Sequence, residues 1–535
     1  MRTLAGAAPL FILWALPLLL ALGMLAPALA DGEAWGLLLA HPQLVPGLAL
    51  SLFTGGAAAL LALLLSLLLL AGLHGSRVWP LLQGASAAGL ALPHLAFAIG
   101  FGFLVMPSGL LARLIVGGDA PPAWLSVQDP WGLSLTLALA MKEVPFLLTA
   151  AFGILARGDA ATRLEGELRA AASLGHGRGS AWLRVLLPQL LHQLRWPLLI
   201  VFVYGATVVD MALVLGPAQP PTFAVVIWHA LNDASPEANR MGLAGTLLLT
   251  LVLALALGLV GLLAAALKLP LRRLLSAGPS LLAAPRASAR IAGVMLLAVM
   301  AASLLLLLVL SLAPRWPYPA VVPPALDLAA WRTMAAAPQP LWLSLGLGLA
   351  AAGAAVAMAV LWFETQPRTR DGVVLGLAVL SLALPQLAVA GGQYRLFLDL
   401  GFAGTLAGLF LAHLAPVASY VLIVLVGPWR AFDMRYVQAA RALSASPRRV
   451  LLAVKLPLLK APLLTAAAIG FAVSVVQFVP AQLVAAGRFA TLPMEAVTLS
   501  SGGNRPLIAA FALALALPPL LAFLAAARLG RPRWR

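Results

Sequence analysis

The sequence contains no cysteine and few charged residues. Without cysteine there can be no disulfide, no thiol nucleophile and no metal site built on thiolates. Only 10% of the 535 residues are charged, whereas a soluble domain is about one quarter charged. The histidines are scattered singly and form no metal-binding spacing with acidic residues. The sequence therefore excludes a disulfide scaffold and gives no sign of a metal centre.

Hydrophobic residues are abundant instead, at 62% of the chain. Apolar runs of about 20 residues recur, the length that crosses about 30 Å of hydrocarbon. Because lipid satisfies no backbone N–H or C=O group, these runs must be helices. We predict an all-α, polytopic membrane protein with about twelve transmembrane helices. The predicted spans are 8–30, 46–72, 81–105, 132–156, 196–216, 240–267, 291–313, 341–363, 373–392, 403–427, 462–480 and 506–527.

The formal net charge of +17 fits this class of protein. With both termini in the cytoplasm, most Lys and Arg residues fall in cytoplasmic segments, as the positive-inside rule requires. The basic composition therefore needs no nucleic acid partner, and it fits a multi-pass membrane protein in contact with lipid. The N-terminal run ends in an Ala-x-Ala before Asp31 and resembles a cleavable signal peptide. Its length, and a matching apolar run at 293–313, favour an uncleaved span.

Several motifs occur twice in the same order. "LPHLAFAIG" (Leu92–Gly100) matches "LPQLAVAGG" (Leu384–Gly392), and "TFAV" at Thr222 parallels "TLPM" at Thr491. Six predicted spans in each half give both halves the same orientation, which is a parallel repeat. We predict a first repeat over 1–267, a basic cytoplasmic linker over 268–290 and a second repeat over 291–535.

A long polar segment also occurs twice. "LRAAASLGHGRGSAWLRVLLPQL" (168–190, the first loop) and "VQAARALSASPRRVLLAVKLPLL" (437–459, the second loop) each follow the fourth predicted span of a half. Each is predicted to form a helix, a turn and a short second helix at the membrane surface, with alanines that permit close approach of another protein. One such loop could be an ordinary amphipathic surface helix. Two copies at equivalent positions favour docking of a pair of partners.

These loops resemble the "E-A-A" loop of ABC importer permeases. That pattern is Glu-Ala-Ala, three residues, Gly, nine residues, Ile, one residue, Leu-Pro. Both copies keep the spacing, but both lack the Glu and the second lacks the Gly. The matching residues of the first copy are Arg169, Ala170, Ala171, Gly175, Leu187 and Pro188, and those of the second are Gln438, Ala439, Ala440, Ser444, Leu456 and Pro457. The resemblance implies that each short helix inserts into a groove of a separate ATPase subunit.

Two fused permease domains in one chain resemble the iron(III)- and thiamine-type import permeases. This resemblance implies the type I ABC importer permease fold and a thiamine-like cation or ferric iron as cargo. It also implies a location in the bacterial inner membrane, with two copies of an ABC ATPase subunit and a periplasmic substrate-binding protein as partners. The chain has no G-x-x-x-x-G-K-[ST] phosphate loop. We therefore expect no enzymatic site and no bound cofactor in this chain, with ATP used by the partner subunit.

Ionisable residues inside predicted spans are costly and are candidates for function. The candidates for a translocation path are Lys142, Glu143, Asp210, His413 and Gln477. Lys142 and Asp210 could instead form a structural ion pair. A second functional hypothesis is an ion-coupled secondary transporter in which Glu143 and Asp210 are the coupling carboxylates. A membrane scaffold without transport is a third, which the intramembrane charges disfavour.

Overall fold

The computed structural model describes residues 7–116, 118–155, 158–275, 282–443 and 446–530. Every regular element in these ranges is a helix. Ten helices are long and apolar enough to cross a membrane, or twelve if two sharply bent pairs each count as one span. The predicted all-α polytopic fold class is thus confirmed.

The ten long helices are Ala7–Ala30, Leu44–Leu73, His94–Ile115, Leu133–Leu155, Arg178–Thr207, Pro236–Pro270, Arg286–Leu312, Gln339–Thr365, Leu406–Arg430 and Arg505–Leu529. The bent pairs are Arg368–Ala383 with Gln386–Asp399, at 103°, and Pro447–Leu458 with Lys460–Val475, at 76°.

Four predicted spans are broken rather than continuous, one of them being 462–480, which breaks at 476–478. In 81–105 and 373–392 the helix stops at Leu92 and Leu384, each extended and followed by a proline. Proline lacks an N–H and disfavours helical geometry in the residue before it, so the Leu-Pro pair of the repeated motif is the cause of the break. The span predicted at 196–216 breaks at 208–209, and a short helix, Asp210–Leu215, follows.

The chain forms two compact units that are not contiguous halves. The first unit comprises Glu33–Ala230 and Ala244–Asp327, and the second comprises Met1–Gly32, Leu231–Leu243 and Leu328–Arg535. The helix Ala7–Ala30 therefore belongs to the unit that contains the later part of the chain. The helix Arg286–Leu312 belongs to the unit that contains the earlier part.

We call Ala7–Ala30 and Arg286–Leu312 the exchanged helices. The last glycine of each Leu-Pro-x-Leu-Ala-x-Ala-x-Gly motif packs against one of them. In the first unit, a Cβ on Gly100 would lie 2.6 Å from the Ser303 carbonyl oxygen. In the second unit, a Cβ on Gly392 would lie 2.8 Å from the Ala21 carbonyl carbon. Both positions admit a neighbouring backbone only because glycine has no side chain. The repeated glycine is therefore explained by close helix packing.

A matching hydrogen bond also occurs within each unit. In the first unit the Phe223 N–H donates to Ser51 Oγ at 2.9 Å, and in the second the Leu492 N–H donates to Ser344 Oγ at 2.8 Å. The two donors follow the repeated threonines, Thr222 and Thr491. The serines thereby anchor the start of two short helices, Phe223–Asn232 and Leu492–Ser500.

Candidate functional site

The first loop has the predicted helix–turn–helix shape. The helix Gly158–Ser173 is followed by a turn at Gly175, whose φ is +83°. The Gly175 N–H donates to the Ala172 carbonyl and the His176 N–H to the Ala171 carbonyl, both at 3.0 Å. This pair of bonds is a Schellman motif, which places its left-handed residue where glycine is the least strained choice. A second helix follows over Arg178–Ala181.

A π-helical segment connects each short second helix to the following Leu-Pro. It covers Trp182–Leu186 in the first loop and Leu451–Lys455 in the second. The second loop reaches this segment through the helices Met434–Ala442 and Pro447–Val450, while its candidate residue Ser444 lies outside the described residues. π-helical turns are rare and occur often at functional sites. Among the described residues the two copies share the order of short helix, π-helical segment and Leu-Pro, but beyond it the first continues straight to Thr207, whereas the second bends by 76° between Leu458 and Lys460.

The side chains of the first loop motif fall into two groups. Ala171 is 5% exposed and packs inside the first unit, whereas Arg169 and Ala170 face outward. Arg169 pairs with Glu165 at 3.0 Å on the same exposed helix face, an arrangement of small energetic weight. Ala170 therefore presents a small outward side chain, and Ala171 supports the loop from within.

Glu167 has a role inside the first loop. Its Oε2 accepts a hydrogen bond from Gln189 Nε2 at 2.6 Å, and its Oε1 lies 3.7 Å from Arg163 Nε. The carboxylate thus ties the first helix of the loop to the start of the following span. It is not displayed at the position of the missing family glutamate.

The second loop repeats the outward-facing alanine of the first loop but not the buried alanine beside it. Gln438 and Ala439 are exposed and Ala440 is half-buried. The half-buried Leu187 and exposed Pro188 of the first loop have counterparts of the same exposure in Leu456 and Pro457. In this unit, Lys455 in the π-helical segment pairs with Glu364 at 2.6 Å.

The helix ends near the two loops are held in different ways. In the first unit, His74 packs edge-on against Trp79 and Trp182. Burial and then the nearby Arg178 charge lower the pKa of His74, which favours the neutral ring. The second unit has an ion pair instead, in which Arg430 donates to both carboxylate oxygens of Asp371 at 2.7 and 2.8 Å.

Sequence reasoning missed the Asp371–Arg430 pair. The Arg430 guanidinium also donates to the carbonyls of Phe363 and Gln366 at 2.9 and 3.0 Å, and Trp362 Nε1 donates to Asp371 Oδ1 at 3.1 Å. The only signal was the position of both charges at ends of predicted spans. Charged residues at span ends ordinarily extend to the membrane surface, so this signal is not specific.

Three path candidates lie in the first unit, and the structure separates their contacts. Lys142 is buried and its Nζ donates to the Gly89 carbonyl at 2.9 Å. Glu143 Oε1 lies 3.0 Å from His94 Nε2. Asp210 begins the short helix after the break at 208–209, and the described part of the chain shows no ion pair between it and Lys142. The predicted Lys142–Asp210 pair is therefore absent from this structure.

The His94–Glu143 contact joins the helix that follows the Leu-Pro break to the helix Leu133–Leu155 of the first unit. His94 is the first residue after the Leu-Pro break, and Glu143 stands two residues before Pro145, inside the helix Leu133–Leu155. The His94 side chain is 30% exposed while that of Glu143 is 8% exposed. The Tyr204 ring lies 4.9 Å from the His94 ring. The sequence identifies Glu143 as a candidate but does not predict this contact.

The remaining two path candidates meet inside the second unit. His413 Nδ1 lies 2.8 Å from Ser474 Oγ, and Gln477 Nε2 donates to the His413 carbonyl at 3.1 Å. All three side chains are buried. His413 Nε2 and Gln477 Oε1 have no hydrogen-bond partner among the described residues. The cluster therefore retains one free donor or acceptor on each of two buried side chains.

The described residues contain no group of three or more His, Asp or Glu side chains placed to hold a metal ion. No protein-family model matches the chain. The chain is 32% identical over 530 residues to the "Inner membrane ABC transporter permease protein YnjC" of Escherichia coli (strain K12). The alignment covers 98% of this chain and 96% of that protein.

Proposed function

The chain belongs to the inner membrane permease subunits of ABC transporters, and we propose that it supplies the translocation path of a binding-protein-dependent importer. In this proposal the first and second loops each dock one copy of a separate ATPase subunit. The observation that carries the proposal is the order of helix, short helix, π-helical segment and Leu-Pro, which the described residues of both loops repeat. The first copy continues into the helix Leu187–Thr207, which precedes Asp210, and the second leads, after a 76° bend, into the helix Lys460–Val475, which precedes Gln477.

The outward faces of the loops support docking. Ala170 and Ala439 occupy matching positions and are both exposed. Small residues there permit a partner's backbone to approach, while Ala171 and the Glu167–Gln189 bond hold the first loop in place. An ion-coupled secondary transporter has no such partner, and membership of the ABC permeases argues against that alternative.

For cargo we propose a small cation, either thiamine-like or ferric iron. The support is the acidic character of the path candidates in the first unit, Glu143 and Asp210, together with the resemblance of a fused double permease to these importers. Glu143 is held by His94 and Asp210 begins a short helix. A carboxylate in low dielectric attracts a cation strongly because water does not screen the charge.

Docking can be tested with a matched pair of substitutions. Ala170→Trp and Ala439→Trp add the same bulk to the two outward positions without filling a buried space. Each should leave membrane insertion intact and remove one bound copy of the ATPase, and the double variant should bind none and lose uptake. Ala335→Trp, at an exposed alanine of the helix Ala329–Ala336, is the control and should retain both copies.

Native mass spectrometry of the purified complex would count the ATPase copies, and uptake into vesicles would report transport. The chain alone should hydrolyse no ATP, because it has no phosphate-binding loop. A single bound copy at saturation would contradict the proposed stoichiometry. Full ATPase binding and uptake by the Ala170→Trp/Ala439→Trp double variant would contradict docking through these loops.

A further inference from the structure

The two short docking helices begin in different ways. In the second loop, Ser446 precedes the helix and its Oγ accepts a hydrogen bond from the Arg449 N–H at 3.3 Å. In the first loop, the matching position is Gly177, which has no side chain to serve as a cap. The first N–H groups of a helix have no partner within the helix and need an acceptor from elsewhere. The first loop must therefore take its acceptor from another segment.

That acceptor is a backbone carbonyl of the linker. The N–H groups of Gly179 and Ser180 donate to the Leu282 carbonyl oxygen at 3.0 and 3.2 Å. These are the positions that an N-cap side chain satisfies in other helices. The Leu282 carbonyl thus performs for the first loop the task that the Ser446 hydroxyl performs for the second.

The linker fits against the loop closely. A Cβ on Gly179 would lie 2.7 Å from the Ala283 carbonyl carbon and 2.8 Å from the Leu282 carbonyl oxygen. On the other side, a Cβ on Gly72 would lie 2.7 Å from the Pro285 carbonyl oxygen. Two glycines, one in the docking helix and one near the end of the helix Leu44–Leu73, thus make room for residues 282–285. All of these residues belong to the first unit.

We propose that linker residues 282–285 are a positioning element of the first docking loop, with the Leu282 carbonyl as the N-cap of its short helix. The first loop then docks an ATPase subunit more tightly while the linker is seated and its helix is capped. The second loop carries its own cap and needs no linker. This inference rests on the proposed function, in which the loops dock the ATPase.

The substitution Gly179→Ala tests the proposal. Alanine is a better helix former than glycine, so without a seated linker the change would stabilise the helix. With the linker seated, the added methyl group displaces Ala283 and the cap is lost. We expect faster hydrogen–deuterium exchange in the peptide that contains residues 179 and 180, measured without ATPase. Gly166→Ala is the matched control, because no atom lies within 4 Å of the added methyl group.

ATPase binding is then measured in an Ala439→Trp background, so that only the first loop is left to dock. Gly179→Ala should weaken binding about five-fold, the effect of one lost N-cap, and Gly166→Ala should not. The variant Gly177→Ser supplies the missing cap, since Gly177 has an extended backbone (φ −64°, ψ 157°) that serine adopts at N-caps. Gly177→Ser/Gly179→Ala should therefore recover both binding and the slow exchange of the Ser180 N–H.

Unchanged exchange in Gly179→Ala would show that the Leu282 carbonyl is not a cap and would overturn the proposal. Faster exchange with full binding would overturn it too, because docking would then not depend on the linker. If Gly177→Ser fails to restore binding, the added methyl group rather than the lost cap weakens docking, which would also overturn the proposal. If the loops bind no ATPase even without substitutions, the proposed function fails, while the exchange experiment still reports whether the linker caps the helix.

Discussion

Substituting Gly392 with alanine should separate the exchanged helix Ala7–Ala30 from its partner in the second unit. Gly392 lies in the helix Gln386–Asp399, and an added Cβ would lie 2.8 Å from the Ala21 carbonyl carbon, where ordinary contact begins at 3.4 Å. The obstacle is backbone, which cannot rotate away as a side chain does. Either helix must therefore shift, and the tight packing around them resists the shift.

The expected cost follows from overpacking, which destabilises a well-packed core by about 1–3 kcal/mol. The shift also loosens the hydrogen bond from Trp14 Nε1 to the Ala415 carbonyl, which is 3.0 Å long and buried. The neighbouring Gly391→Ala is the control, because its added Cβ meets only the side chains of Leu243 and Leu231 at 3.5 and 3.6 Å. That control should be neutral or slightly stabilising, since alanine favours the helix.

Two measurements report the difference. Denaturant unfolding in detergent micelles should show Gly392→Ala less stable than Gly391→Ala by the stated amount. Because the chain has no cysteine, Leu18→Cys provides a single thiol at a site that is 1% exposed. A maleimide should label this thiol slowly in the Gly391→Ala background and faster in the Gly392→Ala background. Equal stability and equally slow labelling in both would refute the close approach of the two helices.

Two further predictions concern charges. Asp371→Asn leaves the Arg430 guanidinium without its carboxylate and should lower the free energy of unfolding by about 3 kcal/mol, as measured by the same denaturant titration; unchanged stability would mean that the pair is not structural. Glu143→Gln keeps an oxygen that accepts a hydrogen bond from His94 but removes the negative charge. Folded yield should hold while uptake of a cationic cargo falls about ten-fold or more, and unchanged uptake would argue against a role of this carboxylate in the path.

The sequence was sufficient to predict the helices but not which helices pack together. Apolar runs identify spans because the bilayer demands their length and composition. The breaks at Leu92 and Leu384 were also readable in principle, since each precedes a proline. The exchange of Ala7–Ala30 and Arg286–Leu312 was not readable. Both helices are apolar on every side, so no polar face in the sequence shows which surface meets a neighbour.

Residues of the candidate site could likewise be identified from the sequence, whereas their contacts could not. The loops could be found because they occur twice with one spacing, and Glu143, His413 and Gln477 could be found because polar residues in spans are rare. Their partners could not be assigned, because residues such as His94 and Ser474 are distant from them in sequence and come near only through packing. Lys142 donates to the Gly89 carbonyl and forms no ion pair with Asp210. Opposite charge alone therefore did not identify its partner.

The capping of the two docking helices extends this point to the backbone. A capping hydroxyl such as that of Ser446 can be recognised in the sequence. Every residue has a backbone carbonyl, so the sequence does not show that the Leu282 carbonyl caps a helix. The linker and the first loop belong to one chain, so the linker has a high effective concentration near the loop and needs little intrinsic affinity. On our proposal the first loop needs no capping side chain because the linker supplies the capping carbonyl. Cleaving the linker should then weaken ATPase docking at the first loop and spare the second, because only the first loop takes its cap from the linker.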